Sequence, residues 1–187
     1  MPVTDHFYGG RTIGAGRTIQ DFGLCDLKGE YVYTARTRAK GLLVVVFFSP
    51  QSPPSQRALH AVQGWTQTLP TTKWTALAVT EGDRVELAKF ADGQGLGGVS
   101  IVVDYELYQT RQWGISHLPC TYLISGKTGR VLAKVIGDDA GELTAMQQML
   151  EAEVGKIVAA EEAARKAAEA KKAADDAAKA AADAAKV

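Results

Sequence analysis

Two serines in Ser52-Pro53-Pro54-Ser55 follow closely on the apolar run Leu42–Phe48. A serine hydroxyl attacks a substrate only when a neighbouring base takes its proton. The same residues also suit the start of a helix. Serine is a preferred N-cap, and proline is well placed at the first helical position because it has no N–H to leave unpaired. Ser52 is read first as that cap, worth about 0.5–2 kcal/mol. The two thiols, Cys25 and Cys120, are too distant in sequence for a metal-ligand pair and too few for a disulfide framework. They are expected to be buried or half-buried. No metal and no cofactor is expected. Gly93-Gln94-Gly95-Leu96-Gly97-Gly98 is rich in glycine, but no Lys-Ser or Lys-Thr follows and a strand comes next. It reads as a connector rather than a phosphate loop.

The elements that would hold these residues follow from hydrophobic period and turn chemistry. Residues 1–18 read as an arm. Ile19–Leu24 and Tyr31–Tyr33 alternate apolar and polar around the turn Asp26-Leu27-Lys28-Gly29, which predicts a hairpin. Leu42–Phe48 is the continuous apolar run of a strand buried on both faces. A helix should span Pro53 to Leu69, burying Ala58, Leu59, Val62 and Trp65. Trp74–Thr80 predicts a strand, and Asp83 with Glu86 a capping box for a helix to about Ala91. Val99–Val103 reads as a strand and Glu106–Trp113 as a short helix. Cys120–Ile124 and Val131–Ile136 form a second hairpin. Asp139 with Glu142 starts a last helix whose Leu143, Met146, Met149 and Leu150 should face the core. Buried strands alternating with helices imply an α/β sheet covered on both faces.

Three segments, in order, resemble the TlpA/ResA-like branch of the thioredoxin superfamily, which borders the redoxin and AhpC/TSA-related peroxiredoxins. Phe22-Gly23-Leu24-Cys25-Asp26-Leu27-Lys28-Gly29-Glu30 is similar to that family's N-terminal hairpin. Val44–Phe48 followed by Ser52-Pro53-Pro54-Ser55 resembles its active-site strand and loop. Ile115-Ser116-His117-Leu118-Pro119-Cys120-Thr121 resembles its cis-proline segment. The resemblance implies a thioredoxin fold: a central mixed sheet flanked by helices, with an N-terminal β-hairpin. It also implies thiol-disulfide oxidoreductase chemistry on a Cys-Pro-Pro-Cys motif. There a helix N-terminus stabilises a thiolate that attacks a disulfide, and the second cysteine resolves the mixed disulfide. Serine can do neither, so Ser52 and Ser55 remove dithiol exchange. Peroxidase chemistry is disfavoured too, because the loop holds no cysteine.

The resemblance sets the alternatives. A nucleophilic Ser52 would need His117 as its base, across from the helix start. A single-cysteine redox enzyme would use Cys120, with His117 lowering its pKa. The serines themselves are either an engineered Cys-to-Ser pair or a natural loss. Gln51, where resembling enzymes often carry a bulky aromatic, points to loss. The leading expectation is a binding or scaffold module that takes a protein or extended peptide in a groove beside His117, Leu118, Pro119 and Cys120.

Composition bounds the rest. Among 187 residues, 21 basic side chains balance 21 acidic ones, so neither nucleic acid nor an anionic membrane surface is an expected partner. No apolar run approaches the roughly 20 residues of a membrane span. The N-terminus does not read as a secretory signal. The expected place is the cytoplasm by default, or an extracytoplasmic one if a signal has been removed. A domain over 19–154 is followed by an alanine-rich extension over 155–187. There Ala163, Ala167, Ala170, Ala174, Ala177, Ala181 and Ala184 form a heptad-like seam that could pair with another helix or a second copy. The alternative is a solvated single helix.

Overall fold

The computed structural model describes residues 13–184 of the chain, with side chains through 172. Its strands are β1 (Gly23–Asp26), β2 (Tyr31–Tyr33), β3 (Leu42–Phe47), β4 (Trp74–Thr80), β5 (Ser100–Val103), β6 (Cys120–Ile124) and β7 (Val131–Ile136). Its helices are α1 (Thr34–Arg38), α2 (Pro53–Thr68), α3 (Arg84–Gln94), α4 (Tyr108–Gln112) and α5 (Ala140–Ala184). The strands form one seven-stranded mixed sheet in the order β2-β1-β5-β4-β3-β6-β7. β3, β4 and β5 run parallel, as β-α-β connections require, while β6 is antiparallel to β3 and β7 is antiparallel to β6.

β3 is fully buried because both sheet faces are covered. Its residues alternate between two cores. Leu42, Val44 and Val46 join Leu59, Val62 and Trp65 of α2 with Leu143, Met146, Leu150 and Val154 of α5. Leu43, Val45 and Phe47 join Trp113, Ile115, Tyr122, Ile19 and Phe22 on the other face.

Several predicted elements shift. The first strand begins at Gly23; Ile19 and Phe22 are buried ahead of it. Asp26 ends that strand, and its Oδ1 accepts hydrogen bonds from Lys28 N and Glu30 N, closing the turn. α1 is unforeseen: Thr-Ala-Arg-Thr-Arg carries no apolar stripe. α3 runs past Ala91 through Gly93 and Gln94, stopping at Gly95 in the left-handed conformation (φ 65°). The expected helix over Glu106–Trp113 is split. A 3-10 turn at Tyr105–Leu107 precedes α4, with Glu106 and Leu107 both at positive φ. The buried Asp104 carboxylate orders the change, accepting from Gln109 N, Thr110 N and Thr110 Oγ1. Met149 does not face the core; it is exposed, about 100° round the helix from Leu150 and about 60° from Met146. The end of the arm is tied down: Gly16 N donates to Val131 O, Val131 N donates to Arg17 O, and Thr18 bridges Arg130. Residues 1–12 lie outside the described part, as do the side chains of Ala174, Ala177, Ala181 and Ala184.

Candidate functional site

The loop between β3 and α2 holds itself together. Phe48 N donates to Val79 O, ending the strand, and Ser52 N turns back to Ser49 O at 3.1 Å. Ser52 occupies the N-cap position in extended conformation (φ −93°, ψ 116°), and its carbonyl accepts the first helical bond from Gln56 N. Its hydroxyl makes no capping hydrogen bond. An N-cap oxygen reaches the N–H of the second or third helical residue; Pro54, the second, has none, and the N–H of Ser55, the third, is not taken by Ser52 either. The expected energy of a serine cap is therefore not realised through its side chain.

Ser55 does the work instead. It is buried, and its Oγ accepts a hydrogen bond from Ser49 N at 3.1 Å. Gln56 Nε2 donates to Pro50 O at 2.7 Å, and Ser49 Oγ donates to Gln51 Oε1 at 3.1 Å. Ser49 and Gln56 are structural parts of this loop that sequence reasoning missed. Nothing in their spacing announces that the backbone between them must be satisfied locally.

The second half of the site comes from β6. Register pairs Phe47 with Cys120; carried one residue further, it sets Phe48 beside Pro119. The Leu118–Pro119 peptide is cis. Pro119 is buried, its carbonyl accepting from Gly137 N at 2.8 Å, while His117 and Leu118 are exposed. His117 Nδ1 lies 2.9 Å from Ser116 Oγ. The sheet thus brings Ser52-Pro53-Pro54-Ser55 and His117-Leu118-Pro119 to one end of the molecule. Beside Pro50 and Gln51 a cavity of about 280 Å³ opens against Glu81 and against Glu86, Leu87 and Phe90 of α3.

Cys120 departs from the groove expected of it. Strand alternation turns its side chain into the second core with Phe47, Trp113 and Tyr122, and the residue is 1% exposed. Burial pushes its thiol pKa up; the Tyr122 hydroxyl and Lys134 oppose this more weakly. Tyr122 is raised as well, by burial first and then by the neighbouring Cys120. A nucleophilic thiol needs the opposite environment. Cys25, on β1, is half-buried and lies across from Tyr31. Among the described residues, no cluster of His, Cys, Asp and Glu could hold a metal ion, and no helix is long and apolar enough to cross a membrane.

No protein-family model and no curated protein matches the sequence. Solved structures do match the fold. The DsbE thiol:disulfide interchange protein of Chlorobium tepidum superposes with a TM-score of 0.68 at 17% identity, covering 76% of this chain and 99% of that one. Peroxidoxin BcpB of Mycobacterium tuberculosis gives 0.64 at 17% identity, covering 78% and 98%. A thiol-disulfide oxidoreductase of Bacteroides fragilis gives 0.61 at 22% identity, covering 72% and 99%. These identities carry architecture alone: the chain has the thioredoxin fold, extended by a long C-terminal helix.

Proposed function

We propose that this is a thioredoxin-fold binding module with a TlpA-like but degenerate active-site loop, which does not exchange disulfides through Ser52 and Ser55. The observation that carries this reading is the Ser49 N–H to Ser55 Oγ hydrogen bond. The position where the resembling enzymes keep their second cysteine is here a buried hydroxyl employed in loop structure. The first position, Ser52, is half-buried, and its hydroxyl accepts no capping hydrogen bond. What remains is a surface: exposed His117 and Leu118 beside the helix start, suited to an extended peptide that pairs with backbone. The alanine-rich extension over 155–187 serves as a second attachment, for a partner helix.

The single-thiol alternative through Cys120 draws no support from its burial and raised pKa. The deciding experiment is insulin disulfide reduction with dithiothreitol as electron donor. The chain should show no turnover above the uncatalysed rate. The double variant Ser52→Cys, Ser55→Cys should gain turnover, because the helix start and Pro119 are already in place. Turnover by the unaltered chain would overturn the proposal.

A further inference from the structure

The two edges of the sheet are treated differently. The β7 edge is guarded: Arg17 and Thr18 pair with its first residues, and Lys134 stands in its middle. Lysine and covering chain are the usual devices against edge-to-edge pairing. Among the described residues, the β2 edge has neither. Its three residues are Tyr31, Val32 and Tyr33, with Tyr31 63% and Tyr33 45% exposed.

These tyrosines are arranged rather than scattered. Their rings stack at 5.4 Å between centroids, and the Arg36 guanidinium lies 5.6 Å from the Tyr33 centroid. Both rings lie over Gly23, the cross-strand partner of Tyr33. A Cβ at Gly23 would come within 2.8 Å of the Tyr33 ring. The glycine thus lets an aromatic platform lie flat along the strand.

The backbone beneath has a definite pattern. Asp26 N donates to Glu30 O, and Thr34 N donates to Phe22 O. Glu30 and Thr34 therefore point their backbone groups toward β1, and alternation points those of Tyr31 and Tyr33 outward. The Tyr33 carbonyl is taken by Thr37 Oγ1 at 2.9 Å. Tyr31 keeps both an N–H and a C=O facing out, with no partner among the described residues.

We propose that this edge pairs with a second copy of the chain, β2 against β2, about a two-fold axis at Tyr31. One residue with both groups free is what an isologous antiparallel pair requires: Tyr31 of each copy exchanges two hydrogen bonds with its counterpart. Length also selects this occupant. The turn ends at Glu30 and α1 starts at Thr34, so the edge accepts a strand of three residues bounded by bends, which describes β2 itself. The tyrosine platforms of the two copies then continue one another on a single face. The contact is short, so it belongs to the weak, concentration-dependent class of interfaces.

Sedimentation equilibrium on the full chain should show a monomer–dimer equilibrium. The variant Tyr31→Lys, Tyr33→Lys should weaken it by about tenfold or more while the circular dichroism spectrum of the fold stays unchanged, since both side chains are exposed. In a Cys25→Ser background, Tyr31→Cys should oxidise to a disulfide-linked dimer, and Val85→Cys, exposed but off the edge, should not. A monomer up to millimolar concentration overturns the proposal. So does a dimer that survives the double lysine change, which would assign association to α5 or another surface. Equal cross-linking at positions 31 and 85 overturns it too.

Discussion

Ser55 Oγ lies 3.1 Å from the backbone nitrogen of Ser49 and accepts its hydrogen bond inside the turn that precedes α2. The two serines of the loop are thus unequal: Ser55 is buried and engaged, while Ser52 holds only a backbone position. Removing the Ser55 hydroxyl leaves a part-buried N–H without a partner. Ser55→Ala should cost about 1–3 kcal/mol, and Ser52→Ala should stay within about 0.5 kcal/mol. Urea unfolding of the two variants measures both. A larger loss at Ser52 would contradict the geometry of the cap.

Cys120 should be silent to native-state alkylation. Its side chain is packed against Phe47, Trp113 and Tyr122 and its pKa is raised by burial. Iodoacetamide at neutral pH should modify half-exposed Cys25 first, and Cys120 only when denaturant opens the core. Mass spectrometry of the labelled peptides gives the order. Prompt labelling of Cys120 below pH 8 would show that the thiol is not held as described.

Acid sensitivity should concentrate at Asp21. Arg38 donates to it from Nε at 2.8 Å and from Nη2 at 2.6 Å, and Thr34 Oγ1 adds a third bond. The Arg38 hydrogen bonds hold its carboxyl below the usual 3.8, with burial opposing them. A depressed folded-state pKa contributes stability that is complete above the ordinary carboxylate range. That stability is lost as pH falls through the depressed value. Asp21→Asn should therefore flatten the stability profile below about pH 4 and change its slope little at neutral pH. Melting temperature against pH for both proteins reads this directly; parallel acid limbs would refute it.

Two glycines should respond to alanine with opposite signs. Gly93 lies within α3 with open space where a Cβ would stand. Gly93→Ala should stabilise by about 0.5–1 kcal/mol through reduced freedom of the unfolded chain. A Cβ on Gly126 would fall 1.4 Å from Gly41 O and 2.1 Å from Arg38 O, both backbone atoms that cannot give way. Gly126→Ala should cost on the order of 3–5 kcal/mol. Thermal melts distinguish the two.

The parts of this fold that were legible in the sequence are those written in one local code. β3 is readable from Leu-Leu-Val-Val-Val-Phe because a run apolar on both faces has few other uses. α3 starts where Asp83 says it should, its Oδ1 accepting from Val85 N and Glu86 N. α1 was not legible: Thr-Ala-Arg-Thr-Arg has no apolar stripe, and its N-cap, Tyr33, makes no side-chain capping bond. Gly93 misled because glycine density marks loops on average, whereas Gly95 alone takes the left-handed turn. The loop's place between β3 and α2 was legible, but the hydrogen bonds within it were not. Ser52 has the composition of a cap, and only the geometry shows that its hydroxyl meets neither donor: Pro54 has no N–H, and that of Ser55 is not bonded to it. The partnership of Ser55 with Ser49 depends on how the chain folds back, which no spacing rule encodes. Strand order lies further still from local reading: β1 pairs with β5 through Cys25–Val103 and Asp26–Val102.

α5 has a consequence for how the molecule can be occupied. It begins next to Gly137, which bonds Pro119 at the loop end of the sheet, and its root is fixed by Leu143, Met146, Leu150 and Val154. It leaves at the other end, where Glu161 pairs with Lys73 just ahead of Trp74, the first residue of β4. From Val154 to Ala184 the helix runs on for about 45 Å. The two poles of the domain are thus independently accessible. A peptide seated beside Pro119 and a protein grasping the distal helix would not compete for space, and the domain body would hold them apart like a handle between two grips.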